Sequence, residues 1–249
     1  MALHDQYTRE IFEQLNYNAT WLPTVQLTPG DVCSLRGHEI QRVAHLSEFD
    51  IPFVVEDGPV PTDFNYQSAG GVSIQFKLKG DPPPTGSLLE VGDAGISMSF
   101  SRSQAVVLRL AKCTSKRLKS LQQVGQQIIA QHNAGTWPEG YVVVAEIVSA
   151  GAATIIISNG EKAGLDLAAK ASVGTGPLTL ASLDTDLQVK RESNIGAKFL
   201  AMPGLTPLVR VSGIQKRFFR SPAFGATRGQ TAPLPPNAFG QVDYSDYTM

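Results

Sequence analysis

The sequence predicts an α+β protein in which strands predominate, and three observations carry that expectation. First, "VSIQFKLK" (72–79) and "GISMSFS" (95–101) alternate apolar and polar residues without a fault. That is the period of a strand with one greasy and one wet face. Second, "YVVVAEIV" (141–148) and "ATIIIS" (153–158) are β-branched runs of core-strand composition. Third, two segments carry a helical period. One spans 5–16, with Tyr7, Ile11, Phe12 and Leu15 on one face. The other spans 115–132, striped by Leu118, Leu121, Val124 and Ile128.

The remaining elements follow in chain order. Strands are expected over 19–27, 31–35 and 40–46, broken by Pro23 and by Pro29-Gly30. Residues 47–70, with Pro52, Pro59 and Pro61, read as loop. In 72–79, Val72, Ile74, Phe76 and Leu78 share one face, and Ser73, Gln75, Lys77 and Lys79 the other. "GDPPPTG" cannot be regular structure. In 95–101, Ile96, Met98 and Phe100 oppose three serines, and "AVVLRLA" (105–111) then reads as buried on both faces. Gly125 weakens the 115–132 helix by about 1 kcal/mol. "LDLAAKASV" (165–173) has a composition that would suit a helix. Its period of two, with Leu165, Leu167, Ala169, Ala171 and Val173 on one face, argues for a strand. In 183–192, Leu183, Leu187 and Val189 oppose Asp184, Asp186, Gln188 and Lys190. A last strand is expected over 206–214. The sequence divides into a body, 1–220, and a polar, proline-rich tail, 221–249, expected to be a linker or extended arm.

Composition narrows the function. With 42% hydrophobic and 17% charged residues over 249 positions, a sizeable core is available. A net charge of −1 argues against nucleic acid as a partner. No apolar run reaches the roughly 18 residues of a membrane helix. The polar start, "MALHDQYTRE", lacks a secretion signal, so a cytoplasmic chain is expected and Asn18-Ala19-Thr20 carries no weight as a sequon. Cys33 and Cys113 are then expected to be reduced thiols. No P-loop, dinucleotide fingerprint, nucleophile elbow or zinc spacing occurs. His4, His38, His45 and His132 are scattered, and Asp184 with Asp186 reads as a solvated face. We therefore expect no enzyme, no cofactor and no metal.

The four alternating strands fall into two pairs, 72–79 with 95–101 and 165–173 with 183–192. Each is about as long as a tilted membrane-crossing strand, roughly 9–11 residues. Their polar faces carry Ser, Gln, Lys and Asp, as a water-filled lumen requires. A lone hairpin cannot sit in lipid with unpaired edges, so the membrane reading implies a closed ring of many copies. A half-buried antiparallel sheet gives the same alternation. The run "RLAKCTSKRLK" holds Arg109, Lys112, Lys116, Arg117 and Lys119 without an acid. Viewed alone it reads first as the solvated start of a helix; it also suits anionic headgroups at about 1 kcal/mol per residue.

The order of elements resembles the gasdermins, especially the small microbial ones without a large C-terminal inhibitory domain. The likeness begins at "LNYNATWLP" (15–23) and runs through "VSIQFKLK", "GISMSFSRSQAVVLRLA", the 115–132 helix, "YVVVAEIVSAGAATIIIS", "LQVKRESNIGAKF" and "TPLVRVSGI". The resemblance implies a twisted, mostly antiparallel central sheet with peripheral helices. It implies a soluble, inactive cytoplasmic form that rearranges into a β-barrel pore in the cell membrane and causes cell death, with antiphage defence as the setting. The membrane hairpins would be lined by Val72, Ile74, Phe76, Leu78, Ile96, Met98, Phe100, Leu165, Leu167, Leu183, Leu187 and Val189. The partners implied are membrane lipids, further copies of the chain and an activating protease that removes a short C-terminal peptide. Residues 221–249 hold Arg228 against Asp243 and Asp246, too little charge to clamp a tail. The expected anchors are therefore Phe239, Tyr244 and Tyr247, and the expected cut is Arg228-Gly229, with Arg217 and Arg220 as competing sites. Positions 2–4 are Ala, Leu and His, where bacterial relatives often carry a lipidated cysteine. The competing expectations are a structural or binding β-protein, such as a phage-particle component, and an enzyme with a site assembled from scattered residues.

Overall fold

The computed structural model describes residues 3–36, 39–59, 63–169, 180, 187–215 and 233–244, and its architecture is α+β, with antiparallel sheets and two α-helices. The helices are α1 (Leu3–Leu15) and α2 (Leu121–Asn133). The first eight strands are β1 (Asn18–Ala19), β2 (Asp31–Arg36), β3 (Glu39–His45), β4 (Val55–Gly58), β5 (Asp63–Gln67), β6 (Val72–Lys77), β7 (Gly95–Phe100) and β8 (Val106–Ala111). The rest are β9 (Thr114–Leu118), β10 (Tyr141–Ala150), β11 (Ala152–Ser158), β12 (Ala163–Ala169), β13 (Leu187–Ser193), β14 (Ile195–Met202), β15 (Leu205–Ile214) and β16 (Phe239–Val242).

The chain forms two compact units. The first holds Met1–Tyr7, Pro61–Cys113 and Ala150–Leu205, and the second Thr8–Val60, Thr114–Ser149 and Thr206–Met249. This division differs from the boundary at residue 220 drawn from composition, because the backbone passes between the units several times.

In the second unit the main sheet runs β1-β15-β10-β2-β3, with β9 on β10, β4 on β9 and β16 on β15. The unbroken valines of β10 follow from burial on both faces. Val142 and Val144 pack with Cys33, Leu35, Val209 and Val211, while Val143 packs with Leu46, Val124, Ile128 and Trp137. The helix expected from residue 115 begins at Leu121. Residues 114–118 are instead β9, paired on one side with β10 and on the other with β4. Two ladders outweigh a weak local helical preference, and Leu118 stays buried against the same core. Glu146 crosslinks this unit. Its carboxylate accepts from Tyr17 Oη (3.2 Å) and Ser115 Oγ (2.8 Å) and pairs with Arg210 (2.7 Å), whose guanidinium stacks over the Tyr17 ring at 4.1 Å.

The first unit is a two-sheet sandwich. One sheet runs β14-β11-β8-β5 and the other β13-β12-β7-β6. Val107 and Ile156 from the first, with Ala105 just before β8, pack with Ile96, Met98, Phe100, Leu165 and Leu167 from the second. Several expectations need correction here and nearby. Residues 20–27, expected as strand, are irregular after β1, and the region read as loop, 47–70, contains β4 and β5. β14 was not foreseen as a separate strand; it pairs β11 through two register irregularities.

Candidate functional site

The two amphipathic pairs read from the sequence form one continuous antiparallel sheet, β6-β7-β12-β13. Its register sorts the side chains into rows. On the core side, Phe76, Ile96, Leu167 and Val189 lie abreast, as do Ile74, Met98 and Leu165, and Val72, Phe100 and Ala163. On the other side, Ser73, Ser99, Gly164 and Ser193 form one row, and Gln75, Ser97, Asp166 and Arg191 the next. A bulge at Lys190 sets Arg191, not Lys190, opposite Asp166. One extra residue shifts the phase of alternation, so the pattern expected through 183–192 changes face there.

Burial divides the expected hairpin residues. Ile96, Met98, Phe100, Leu165 and Leu167 are fully buried, and Val72, Ile74, Leu187 and Val189 are partly buried in the same core. Phe76 and Leu78 are exposed, at 56% and 59%. Leu183 lies outside the described residues, as do Asp184 and Asp186.

The polar face is not open water throughout. Residues 78–94 fold across it as a strap, closed at its base by Gly80 N–H to the Val91 carbonyl (3.0 Å). Lys77, expected on the wet face, is only 1% exposed because its ammonium donates to the carbonyls of Leu78, Val91 and Asp93 within the strap. Asp166 is 2% exposed. It accepts from Ser97 Oγ (2.7 Å) and from the Leu88 N–H (2.8 Å). Arg191 donates to the Gly86 carbonyl. Leu89 rests on Gly95, where a Cβ would come within 2.9 Å of the leucine and 2.4 Å of the Leu167 carbonyl oxygen. Composition marks "GDPPPTG" only as irregular; the fastening depends on tertiary partners it does not name.

The basic run is divided between the units, with Arg109 on β8, Lys116 and Arg117 on β9, and Lys112 and Lys119 just after those strands. Arg109 on β8 is committed to the carbonyls of Tyr66 and Leu108 and to Gln67, and burial lowers its affinity for its proton. Lys112 has its N–H bonded to Asp63 (3.2 Å). On β9, Arg117 pairs with Glu56 at 2.8 Å and Lys116 stands opposite Asp57. Lys119 follows β9, its N–H on the Val54 carbonyl.

The described part of the tail, 233–244, belongs to the second unit and contributes a strand to its sheet. β16 pairs with β15 (Ile214 opposite Phe239). Phe239 packs on Gly125, where a Cβ would approach its ring to 2.5 Å, so the glycine that weakens α2 provides a seat. Tyr244 is buried and donates to the Ala19 carbonyl (2.7 Å). Tyr247, Arg228, Gly229, Arg217 and Arg220 lie outside the described residues.

Cys33 and Cys113 are free thiols. Among the described residues, no cluster of three or more His, Cys, Asp or Glu side chains is arranged to hold a metal, and no helix is long and apolar enough to cross a membrane. No protein-family model matches the chain, and comparison with curated proteins finds no match.

Proposed function

We propose that the chain is a pore-forming protein of the gasdermin type, inactive until its C-terminal segment is removed, and that β6-β7-β12-β13 supplies its membrane wall. The observation that carries this reading is the union of the two amphipathic pairs in one sheet, with apolar rows on one face and a serine-rich face on the other. Its outer strands, β6 and β13, run in opposite directions, since three antiparallel pairings separate them. The β13 of one copy therefore meets the β6 of the next in antiparallel sense. A ring of copies closes without leaving an edge strand, which is what a barrel in lipid requires.

Length also bears on the reading. β6 and β7 have 6 residues each, short of the roughly 9–11 a tilted membrane strand needs. The strap, 78–94, joins them and holds the residues that lengthen both on insertion, once it leaves the polar face. The docking of β16, Phe239 and Tyr244 supports a locking role for the C-terminal segment: β16 covers backbone groups of β15 that its removal would expose.

A second reading, a non-catalytic binding β-protein, is favoured by the core itself, because the apolar face already has a partner sheet. Release of dye from anionic vesicles decides between them. Protein cut between Arg228 and Gly229 should release dye while the intact chain does not. Folded, cut protein that leaves vesicles sealed favours the binding protein.

A further inference from the structure

Between the strap and the polar face of β6-β7-β12-β13 lies a cavity of about 620 Å³, walled by Ser73, Ser99, Thr85, Lys162, Asp166 and Arg191. Such a volume is in the usual range for small-molecule sites. Its depth comes from Gly164, the one position in its row without a side chain. A Cβ there would make only ordinary contacts, 3.4 Å to Ser193 Oγ and 3.7 Å to the Arg191 guanidinium. Packing therefore does not demand the glycine. Its absence of bulk leaves room.

The walls carry two cations, one acid and several hydroxyls. The Arg191 guanidinium lies over Gly164 and donates to the Gly86 carbonyl, and others of its five donors have no hydrogen-bond partner among the described residues. Among the described residues, no carboxylate pairs with Arg191 or Lys162. The single acid among the lining residues, Asp166, accepts one hydrogen bond on each oxygen, from Ser97 Oγ and the Leu88 N–H. Ser99 stands one strand from Gly164 and Ser73 one strand further. Ser193 Oγ, beside the same floor, is buried without a hydrogen-bond partner among the described residues. Two cations without a carboxylate partner suit a phosphate monoester, which carries a charge of about −1.5 to −2 at neutral pH. The hydroxyl wall and the remaining volume suit a polyol attached to it.

We propose that this cavity binds a small soluble phosphorylated polyol, held by Arg191 and Lys162 and bridging the strap to the sheet at Thr85 and Ser99. The bound molecule fastens the strap closed. The site stands on the geometry of the cavity and does not depend on the pore reading.

The test uses the intact chain in solution, without membranes, titrated calorimetrically with glycerol 3-phosphate. Inorganic phosphate and glycerol serve as separated fragments, and vesicles bearing a phosphoinositide headgroup as the lipid source. Saturable binding with a Kd of about 1 mM or tighter is expected, stronger than for either fragment. Arg191→Gln should weaken it by about tenfold or more. Gly164→Val, which fills the floor, should do the same, with Arg191→Gln carrying the test if that variant fails to fold. Lys116→Gln, which belongs to the second unit and is not among the lining residues, should leave it unchanged. Bound ligand should slow hydrogen exchange at the Leu88 amide. No saturation, affinity indifferent to both cavity variants, or binding only to the vesicle headgroup would each overturn the proposal. Vesicle leakage, measured separately, leaves this result untouched whichever way it falls.

Discussion

Substitution of Phe76 tests the proposed membrane insertion separately from folding. It belongs to the apolar face of β6, opposite Ile96, yet it is 56% exposed because β6 is an outer strand of its sheet. Exposed substitutions without special partners usually change stability by no more than about 0.5 kcal/mol, so Phe76→Asp should melt close to the parent. In a barrel the same position faces lipid. A lysine or arginine costs up to about 2–4 kcal/mol at the midplane and an acid less, so about 1–2 kcal/mol per copy is a fair figure. That is a factor of roughly 5–30 per copy, compounded around a ring. Adding Leu78→Asp, 59% exposed, doubles the penalty at little cost to the soluble form. Phe100→Asp is the poorer experiment. Phe100 is buried between the two sheets, and truncating a buried phenylalanine costs about 3–5 kcal/mol before any charge is considered. The assay is dye release from anionic vesicles by cut protein, with a thermal melt of the same sample. A correctly folded Phe76→Asp/Leu78→Asp protein that leaks like the parent would refute the assignment of β6 to the membrane wall.

Glu146→Ala strands Arg210 and two hydroxyls. Breaking a buried pair costs about 3–5 kcal/mol, and because the Arg210 side chain is 34% exposed the lower end applies. A fall in Tm of about 6–12 °C is expected for a chain of this size. The Tyr17 phenol is pushed up to about 12, mainly by burial and then by Glu146. The fold holds the neutral form, so this contribution is complete below pH 10 and is lost as pH rises from 10 to about 12. Urea melts across that window should show the decline in the parent, and a narrower window in Glu146→Ala. Burial pushes the thiols of Cys33 and Cys113 up to about 12 and about 11. Alkylation of the native protein at pH 8 should therefore run at least about a hundredfold slower than in denaturant; equal rates would mean the thiols are accessible. Tyr244→Phe removes the donor to the Ala19 carbonyl and should cost about 1 kcal/mol in a urea melt. No change would mean that the contact does not hold the C-terminal segment.

The alternating segments were the most legible part of the sequence. A period of two in 72–79 and 95–101 reports a strand whatever covers it, and β6 and β7 lie within those spans. The pairing of β7 with β12, which joins the two hairpins, is a long-range contact that no local pattern encodes. The bulge at Lys190 was invisible for the same reason: only the partner strand counts residues against it. Local preference misled at 114–118, where lysine, arginine and leucine suit a helix but β4 and β10 offer ladders on both sides. Tertiary partners also buried two charges that alternation assigned to water, Lys77 and Asp166, because the strap crosses that face. Gly125 is the converse case. It reads as a flaw in α2 until Phe239 is seen against it.

A site-directed nitroxide scan of residues 72–79, recorded on vesicles with cut protein, tests the central claim most directly. The account predicts that labels at Val72, Ile74, Phe76 and Leu78 become accessible to lipid-soluble oxygen. Labels at Ser73, Gln75, Lys77 and Lys79 should become accessible to a water-soluble relaxation agent, with the alternation continuing past Lys77 where the soluble strand stops. Accessibility that keeps the soluble pattern on vesicles, with Ile74 still buried and no alternation beyond residue 77, would contradict it.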